Sequence, residues 1–228
     1  HDPGDPDSIP GNGVIALAVD RHNRLWMGLE GQGLARLSAD RRRFDHLHGD
    51  HEEAFAGPYV WALRETPDEA MWVGTFQDGL FRRDRDGSVR QFLPDPDDDA
   101  ALPSDVVLAL DVDPEGRLWV ATSRGVAWWD GRGFTPVAGM EDDPPLVVSL
   151  GIDDAGRPWF GQRDRVLRPD GNAGFQRHVV DAVVHGLVDI DPGLTWLATG
   201  SGLLALGADG VRRDAYGHPA LARASLQQ

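Results

Sequence analysis

Apolar and polar positions follow one another along this chain in short bursts, with apolar runs of strand length separated by turns rich in Asp, Asn and Gly. Val14 to Val19 is a continuous apolar run ending at Asp20, which predicts a strand buried on both faces. Asp20-Arg21-His22-Asn23 predicts a tight turn, with the Asp accepting backbone hydrogen bonds and the fourth residue left-handed. A second strand is expected over Leu25 to Leu29. Glu30-Gly31-Gln32-Gly33 then turns the chain into a third over Leu34 to Leu37, and Phe44 to Leu47 supplies an outer fourth.

This unit recurs. Trp26, Trp72, Trp119, Trp159 and Trp196 have similar neighbours and lie 46, 47, 40 and 37 residues apart, within or close to the period of propeller blades. The fourth turn position is Asn23, Gly116, Gly156 and Gly193 in four units, while Glu69 departs from the pattern and predicts a turn built differently. The fold class that follows is all-β, a β-propeller of four-stranded antiparallel blades with five blades in one domain, 1–228. The blades fall at about 13–48, 58–93, 105–137, 145–180 and 184–215, followed by a connector, 216–228, to a missing blade.

Each repeated tryptophan lies in mid-strand, where its ring fills the gap between neighbouring blades, so these five residues are packing pins rather than site candidates. The residue two places on is always small: Gly28, Gly74, Ala121, Gly161 or Ala198. A neighbouring backbone is expected to come close there. The first and last segments start and stop the repeat at the same phase, leaving no spare strand to close a ring. An open arc would expose two apolar blade faces, to be covered by missing blades of the same protein or by a second copy.

Composition narrows the function. The 228 residues can bury roughly 70% of their unfolded surface. Acidic side chains outnumber basic ones 37 to 22, a net charge of -15, which argues against a nucleic-acid partner because phosphate binding needs a clustered basic surface. The absence of cysteine excludes disulfides, thiolate metal sites and cysteine nucleophiles. No run approaches the ~20 apolar residues that span a bilayer, so membrane attachment would come only through segments outside this chain. The opening His1-Asp2, without a basic-then-apolar leader, reads as an excised piece.

Asp113 to Val126, with its Asp-x-x-Gly-Arg-Leu-Trp-Val-Ala-Thr-x-x-Gly-Val pattern, is preceded by Leu102-Pro103-Ser104-Asp105-Val106. Together they resemble the two-component regulator propeller repeat. Met71 to Phe81 and Ser8 to Val14 are further close matches, and the resemblance covers essentially the whole chain. It implies a periplasmic signal-input region anchored in a membrane-bound receptor, with a histidine kinase or diguanylate cyclase output. It also implies an often carbohydrate-derived ligand and tandem propellers of seven blades, of which five would be a fragment; a closed five-blade ring is the alternative.

In a propeller, the connector into the first strand and the turn between the second and third strands emerge on one face. That nominates Glu30, Gln32, Phe76, Gln77, Asp78, Ser123, Arg124, Gln162, Arg163 and Ser201 as ligand-binding residues. Tyr59 and Trp61 lie close to that mouth and could stack on a sugar ring, although packing of Trp61 in the channel wall is the preferred reading. His185 opens the fifth first strand and could reach the channel. Trp128 and Trp129 are adjacent on a strand and point to opposite faces, so one packs.

Neither cofactor nor metal is expected. His46, His48 and His51 with Glu52 and Glu53, and the run of Asp95, Asp97, Asp98 and Asp99, have no tight metal-site spacing and read as solvated loops. Arg41-Arg42-Arg43 reads as a solvated turn. Without a nucleophile and base constellation, a non-catalytic ligand-sensing domain leads. One rival is a propeller enzyme resembling the streptogramin lyases, suggested by Trp159-Phe160-Gly161, which would bring Glu30, His185 and an ion together. The other is a protein-binding scaffold.

Overall fold

The computed structural model describes residues 1–47, 57, 59–138, 140, 146–153, 155–170, 174–180, 182–191, 194–207 and 212–214. Among these residues every regular element is a strand, and the strands form five four-stranded antiparallel sheets, each built from consecutive strands. The first sheet holds β1 (Val14–Val19), β2 (Leu25–Leu29), β3 (Gly33–Leu37) and β4 (Phe44–His46). The second holds β5 (Val60–Glu65), β6 (Met71–Thr75), β7 (Leu80–Arg83) and β8 (Val89–Phe92). In the third are β9 (Val107–Val112), β10 (Leu118–Thr122), β11 (Gly125–Trp129) and β12 (Phe134–Pro136).

These three sheets belong to one compact unit, His1–Pro145. A second unit, Leu146–Gln228, carries the other two sheets. They are β13 (Ser149–Ile152), β14 (Pro158–Gly161), β15 (Arg165–Pro169) and β16 (Phe175–Val179), then β17 (Val184–Asp191), β18 (Leu194–Thr199), β19 (Gly202–Gly207) and β20 (Arg212–Asp214). Within each unit the first strands of successive sheets lie side by side, β1 by β5, β5 by β9, and β13 by β17.

The repeated Asp does more than turn the chain. Asp20 accepts from the backbone N–H groups of His22 (3.0 Å) and Arg24 (2.9 Å), from Arg24 Nε (2.6 Å) and from Trp26 Nε1 (2.8 Å). Asp113 and Asp153 hold Trp119 and Trp159 in the same way, at 2.9 and 3.1 Å. One carboxylate therefore ties turn, arginine and tryptophan together, which explains why Asp, Arg and Trp recur as a set. The second sheet uses the Thr66 hydroxyl, which accepts from Trp72 Nε1 at 3.0 Å.

The Glu69 turn was expected to differ, and it does not. Glu69 donates its N–H to Thr66 O at 3.0 Å and takes φ +67°, matching Asn23 (φ +59°) and Gly116 (φ +84°). The closing backbone hydrogen bonds dictate that conformation whatever the side chain, so a non-glycine residue is held left-handed.

All five repeated tryptophans are buried. Trp26 packs with Val60, Leu63, Val73 and Phe81 of the next sheet, Trp72 with Val107, Leu118 and Val120, and Trp159 with Val184, Leu197 and Leu204. The small residues behave as sockets. A Cβ on Gly28 would lie 2.6 Å from Val60 Cγ1, one on Gly74 2.5 Å from Val107 Cγ1, and one on Gly161 2.9 Å from Val184 Cγ1. Close approach of the next first strand thus demands glycine at Gly28 and Gly74, while at Gly161 the Ser149 hydroxyl of the same sheet crowds the position as well.

One expectation fails in β1. Its apolar run is not buried on both faces: Ala16 and Ala18 pack against the second sheet, but Leu17 and Val19 are 63% and 62% exposed. Alternation is the reason, because one side of β1 meets β5 while no described first strand of its own unit lies against the other.

Candidate functional site

In the first unit, each turn after a second strand is tied to the connector that enters the same sheet. Glu30 N–H donates to Gly13 O (2.8 Å), Phe76 N–H to Tyr59 O (3.0 Å) and Ser123 N–H to Val106 O (3.0 Å). The second and third sheets are joined along this rim too, since Gly79 N–H donates to Asp105 O at 2.8 Å, and within the third sheet the Ser104 and Ser123 hydroxyls lie 2.8 Å apart. Glu30, Gln32, Tyr59, Trp61, Phe76, Gln77, Asp78, Ser123 and Arg124 therefore share one end of the three sheets, as the connector rule predicted.

The centre of that rim is aromatic. Trp61 stacks on Phe76 with ring centroids 4.8 Å apart and planes at 26°, yet it stays 36% exposed, and Tyr59 is 42% exposed. The preferred expectation of a tryptophan packed away in a channel wall is corrected: Phe76 covers one ring face and leaves an aromatic surface toward solvent. Pairs of this kind contribute beyond their buried area, about 0.5–1.5 kcal/mol.

The turn beside this pair is closed by Thr75, whose hydroxyl donates to Gly79 O (2.7 Å) and accepts from Asp78 N–H (3.1 Å). It leaves Gln77 at φ +79°, where the equivalent residue of the first sheet is Gly31 at φ +77°. A glutamine there costs about 1–2 kcal/mol of backbone strain. Such strain gathers at functional sites. Asp78 is half-buried, its carboxylate accepts no hydrogen bond from a described residue, and its backbone carbonyl holds Gln91 Nε2 at 2.9 Å. Glu30 and Gln32 are exposed on the corresponding turn, lying along Gly13 and Gly11.

The second unit carries the other nominated residues. Gln162 is buried, and its backbone carbonyl accepts from Val184 N–H at 3.2 Å, so its place is structural. Arg163, His185 and Ser201 are exposed, with Ser201 Oγ 3.3 Å from Thr199 Oγ1. Glu30 and His185 belong to different units.

The metal-type clusters resolve into local bonds where they are described. His46 Nε2 lies 3.1 Å from Ser8 O, while Asp95 and Asp98 cap turns through the N–H groups of Asp97 and Ala100, each at 2.9 Å. His48, His51, Glu52 and Glu53 lie outside the described residues. Among the described residues no group of three His, Asp or Glu is placed to hold a metal ion. Arg41, Arg42 and Arg43 are exposed in a turn.

Two features escaped sequence reasoning. The Trp61–Phe76 stack pairs a first-strand residue with one in the turn after β6, and the strain at Gln77 shows only when its turn is aligned with the one carrying Gly31. That alignment was the available signal.

Residues 101–124 match the family model described as "Two component regulator propeller", so the chain carries this repeat. Its architecture of four-stranded antiparallel sheets is that of propeller blades. Among solved structures, the chain is similar to the extracellular domain of a hybrid two component system from B. thetaiotaomicron, at 18% identity and TM-score 0.78 over 91% of this chain and 30% of that one. A second such extracellular domain from the same organism aligns at 17% identity and TM-score 0.72 over 88% of this chain and 29% of that one. Virginiamycin B lyase from Staphylococcus aureus aligns at 13% identity and TM-score 0.70 over 91% of this chain and 71% of the lyase. At these identities the likeness establishes the fold. The chain spans under a third of the two extracellular domains, and no curated protein sequence matches it.

Proposed function

We propose that this chain is a non-catalytic, extracytoplasmic input domain of a two-component or cyclic-dinucleotide signalling receptor, and that it reads a carbohydrate-derived ligand at the rim of its first unit. The observation that carries this reading is the solvent-facing Trp61–Phe76 stack beside a left-handed Gln77 and a half-buried Asp78 whose carboxylate accepts no hydrogen bond from a described residue. An aromatic face takes the apolar side of a pyranose ring, and a carboxylate accepts from its hydroxyls. The regulator propeller repeat and the likeness to extracellular domains of hybrid two component systems support the sensing role and the location. In this reading the anchor and output of the receptor belong to polypeptide beyond this chain; among the described residues no helix is long and apolar enough to cross a membrane.

The test is calorimetric titration of residues 1–228 with a panel of neutral and acidic oligosaccharides, alongside Trp61→Ala and Asp78→Asn. Binding to the parent chain and at least tenfold weaker binding to both variants is expected. Failure of the whole panel to bind, or binding untouched by both substitutions, would sink the proposal.

A further inference from the structure

At the end of the second and third sheets opposite the rim, the turns that follow their first strands border a cleft of about 540 Å³. All of its lining lies between Thr66 and Gly131, inside the first unit. That volume falls in the range of small-molecule sites, roughly 300–1,000 Å³. Two arginines, Arg82 and Arg117, three carboxylates, Asp68, Glu115 and Asp130, and the indole of Trp129 are among the residues that line it.

Both guanidinium groups are fixed along one edge. Arg82 donates from Nε to Asp84 (2.7 Å) and from Nη2 to Asp68 (2.8 Å), and lies over the Trp72 ring at 5.4 Å. Arg117 donates from Nε to Asp113 (2.6 Å) and from Nη2 to Glu115 (3.3 Å), and lies over the Trp128 ring at 5.5 Å. A guanidinium has more N–H donors than these bonds use. The Nη1 groups of both arginines have no hydrogen-bond partner among the described residues.

The acids are committed in the same partial way. Asp68 gives one oxygen to the Thr66 hydroxyl and the other to Arg82. Glu115 meets Arg117 through Oε2 alone, and Asp130 takes the N–H groups of Arg132 (2.7 Å) and Gly133 (2.8 Å) through Oδ1 alone. The second oxygen of Glu115 and of Asp130 accepts no hydrogen bond from a described residue. Trp129 is half-buried and its ring is held by Phe92 and Phe134, each with its centroid 5.0 Å away.

We propose that this cleft binds a zwitterionic α-amino acid, with its carboxylate on the Nη1 groups of the arginines, its ammonium on Glu115 and Asp130, and its side chain against Trp129. Charge is the argument. A simple anion would meet three carboxylates and a simple cation two guanidinium groups, whereas a zwitterion satisfies both signs at once. The site lies at the other end of the sheets from the Trp61–Phe76 stack and does not rest on the carbohydrate reading of the rim.

Calorimetric titration of residues 1–228 with glycine, L-leucine, L-phenylalanine, L-glutamine and L-arginine, each beside its Nα-acetyl and carboxamide forms, tests this. At least one free amino acid is expected to bind, and both of its blocked forms to bind roughly tenfold more weakly or worse, since each loses one charge-assisted contact. Glu115→Gln should weaken binding by a similar factor, and so should Arg117→Lys, which keeps a charge beside Asp113 but has no Nη1. Glu115 has a 65% exposed side chain, so its variant decides the matter if circular dichroism shows Arg117→Lys unfolded. Trp61→Ala should bind the amino acid as the parent chain does. No binding of any free amino acid, equal binding of the blocked forms, unchanged affinity in Glu115→Gln, or loss of binding in Trp61→Ala would each overturn the proposal.

Discussion

Two joints in the first unit share a plan and are built from different chemistry. Between the first and second sheets, Glu69 reaches His22 (3.2 Å) and Glu65 takes Arg21 (3.4 Å), with Arg85 of the second sheet flanking Glu69 at 3.4 Å, so charges bridge a cleft of about 200 Å³. Between the second and third sheets, Gly116 occupies the Glu69 position, and a Cβ there would lie 3.0 Å from Pro67 Cγ. No side chain can reach across from it. A wider cleft of about 540 Å³ opens instead, lined by Trp72, Arg82, Arg117 and Trp129 among others.

The second joint is held from inside. Trp72, Phe92, Trp129 and Phe134 form a cluster whose ring centroids lie 5.0 to 5.7 Å apart. Glu69 thus keeps a left-handed backbone that favours Gly or Asn, and its carboxylate serves as the bridge. His22 donates to it and holds its pKa below the usual range, with the nearby arginines adding to the effect. One turn position decides whether this turn takes part in the clasp; at the second joint the ion pair lies deeper along the first strands, between Arg64 and Asp111 at 2.5 Å.

The largest expected difference comes from the aromatic joint. Trp72→Ala should cost about 3–5 kcal/mol, read from the urea midpoint, because the surrounding rings cannot collapse into the space. A loss below about 1 kcal/mol would show that the cluster does not hold the joint.

Acid should act next, through the carboxylates that carry tryptophans. Burial pushes the pKa of Asp20 and Asp113 up, but hydrogen bonds from Trp and the Arg backbone and side chain outweigh it and hold both below the ordinary value. A depressed carboxylate contributes stability that is present above the unfolded pKa, about 3.9, and is lost as pH falls through the lower folded value. Asp20→Asn should cost about 1.5–3 kcal/mol at pH 7 and flatten the acid limb of a melting-temperature profile. An unchanged acid limb would refute that role.

The smallest effect is expected at the clasp. Glu69→Gly relieves the strained turn while removing the ion pairs, so the two changes oppose each other and the melting temperature should move little at low salt. Its fall on going to 1 M salt should be smaller than in the parent chain, since exposed pairs are screened. Equal salt sensitivity in the two proteins would mean that the clasp is idle.

Much of this was legible in the residues. Asp, Arg and Trp at fixed spacing mark the second strands of the first, third and fourth sheets because turn closure and tryptophan burial are local demands, repeated with the blade. The small residue after each tryptophan was readable for the same reason. The fate of β1 was not, since an apolar run states only that burial is possible, and whether Leu17 is covered depends on what lies beside its strand.

The candidate site divides along the same line. Loop membership placed Glu30, Tyr59, Phe76 and Ser123 on a common rim from connectivity alone. Hydrogen bonds 35 residues apart in the sequence, such as that from the Ser149 hydroxyl to Val184 O (2.6 Å), had to be seen. Burial of Gln162 under such contacts was equally out of reach.

By itself, then, the sequence determined the blade: its four strands, its left-handed turn positions where Asn or Gly stands, its tryptophan pin and the kind of repeat it is. These follow from forces acting over a few residues. Tertiary structure alone decided that Trp61 lies on Phe76 with a face to solvent, that Gln77 carries strain, that Glu69 clasps a joint and that Leu17 is exposed. Each of these depends on which distant strand arrives alongside, and packing between strands far apart in the chain leaves no periodic trace in the residues that make it.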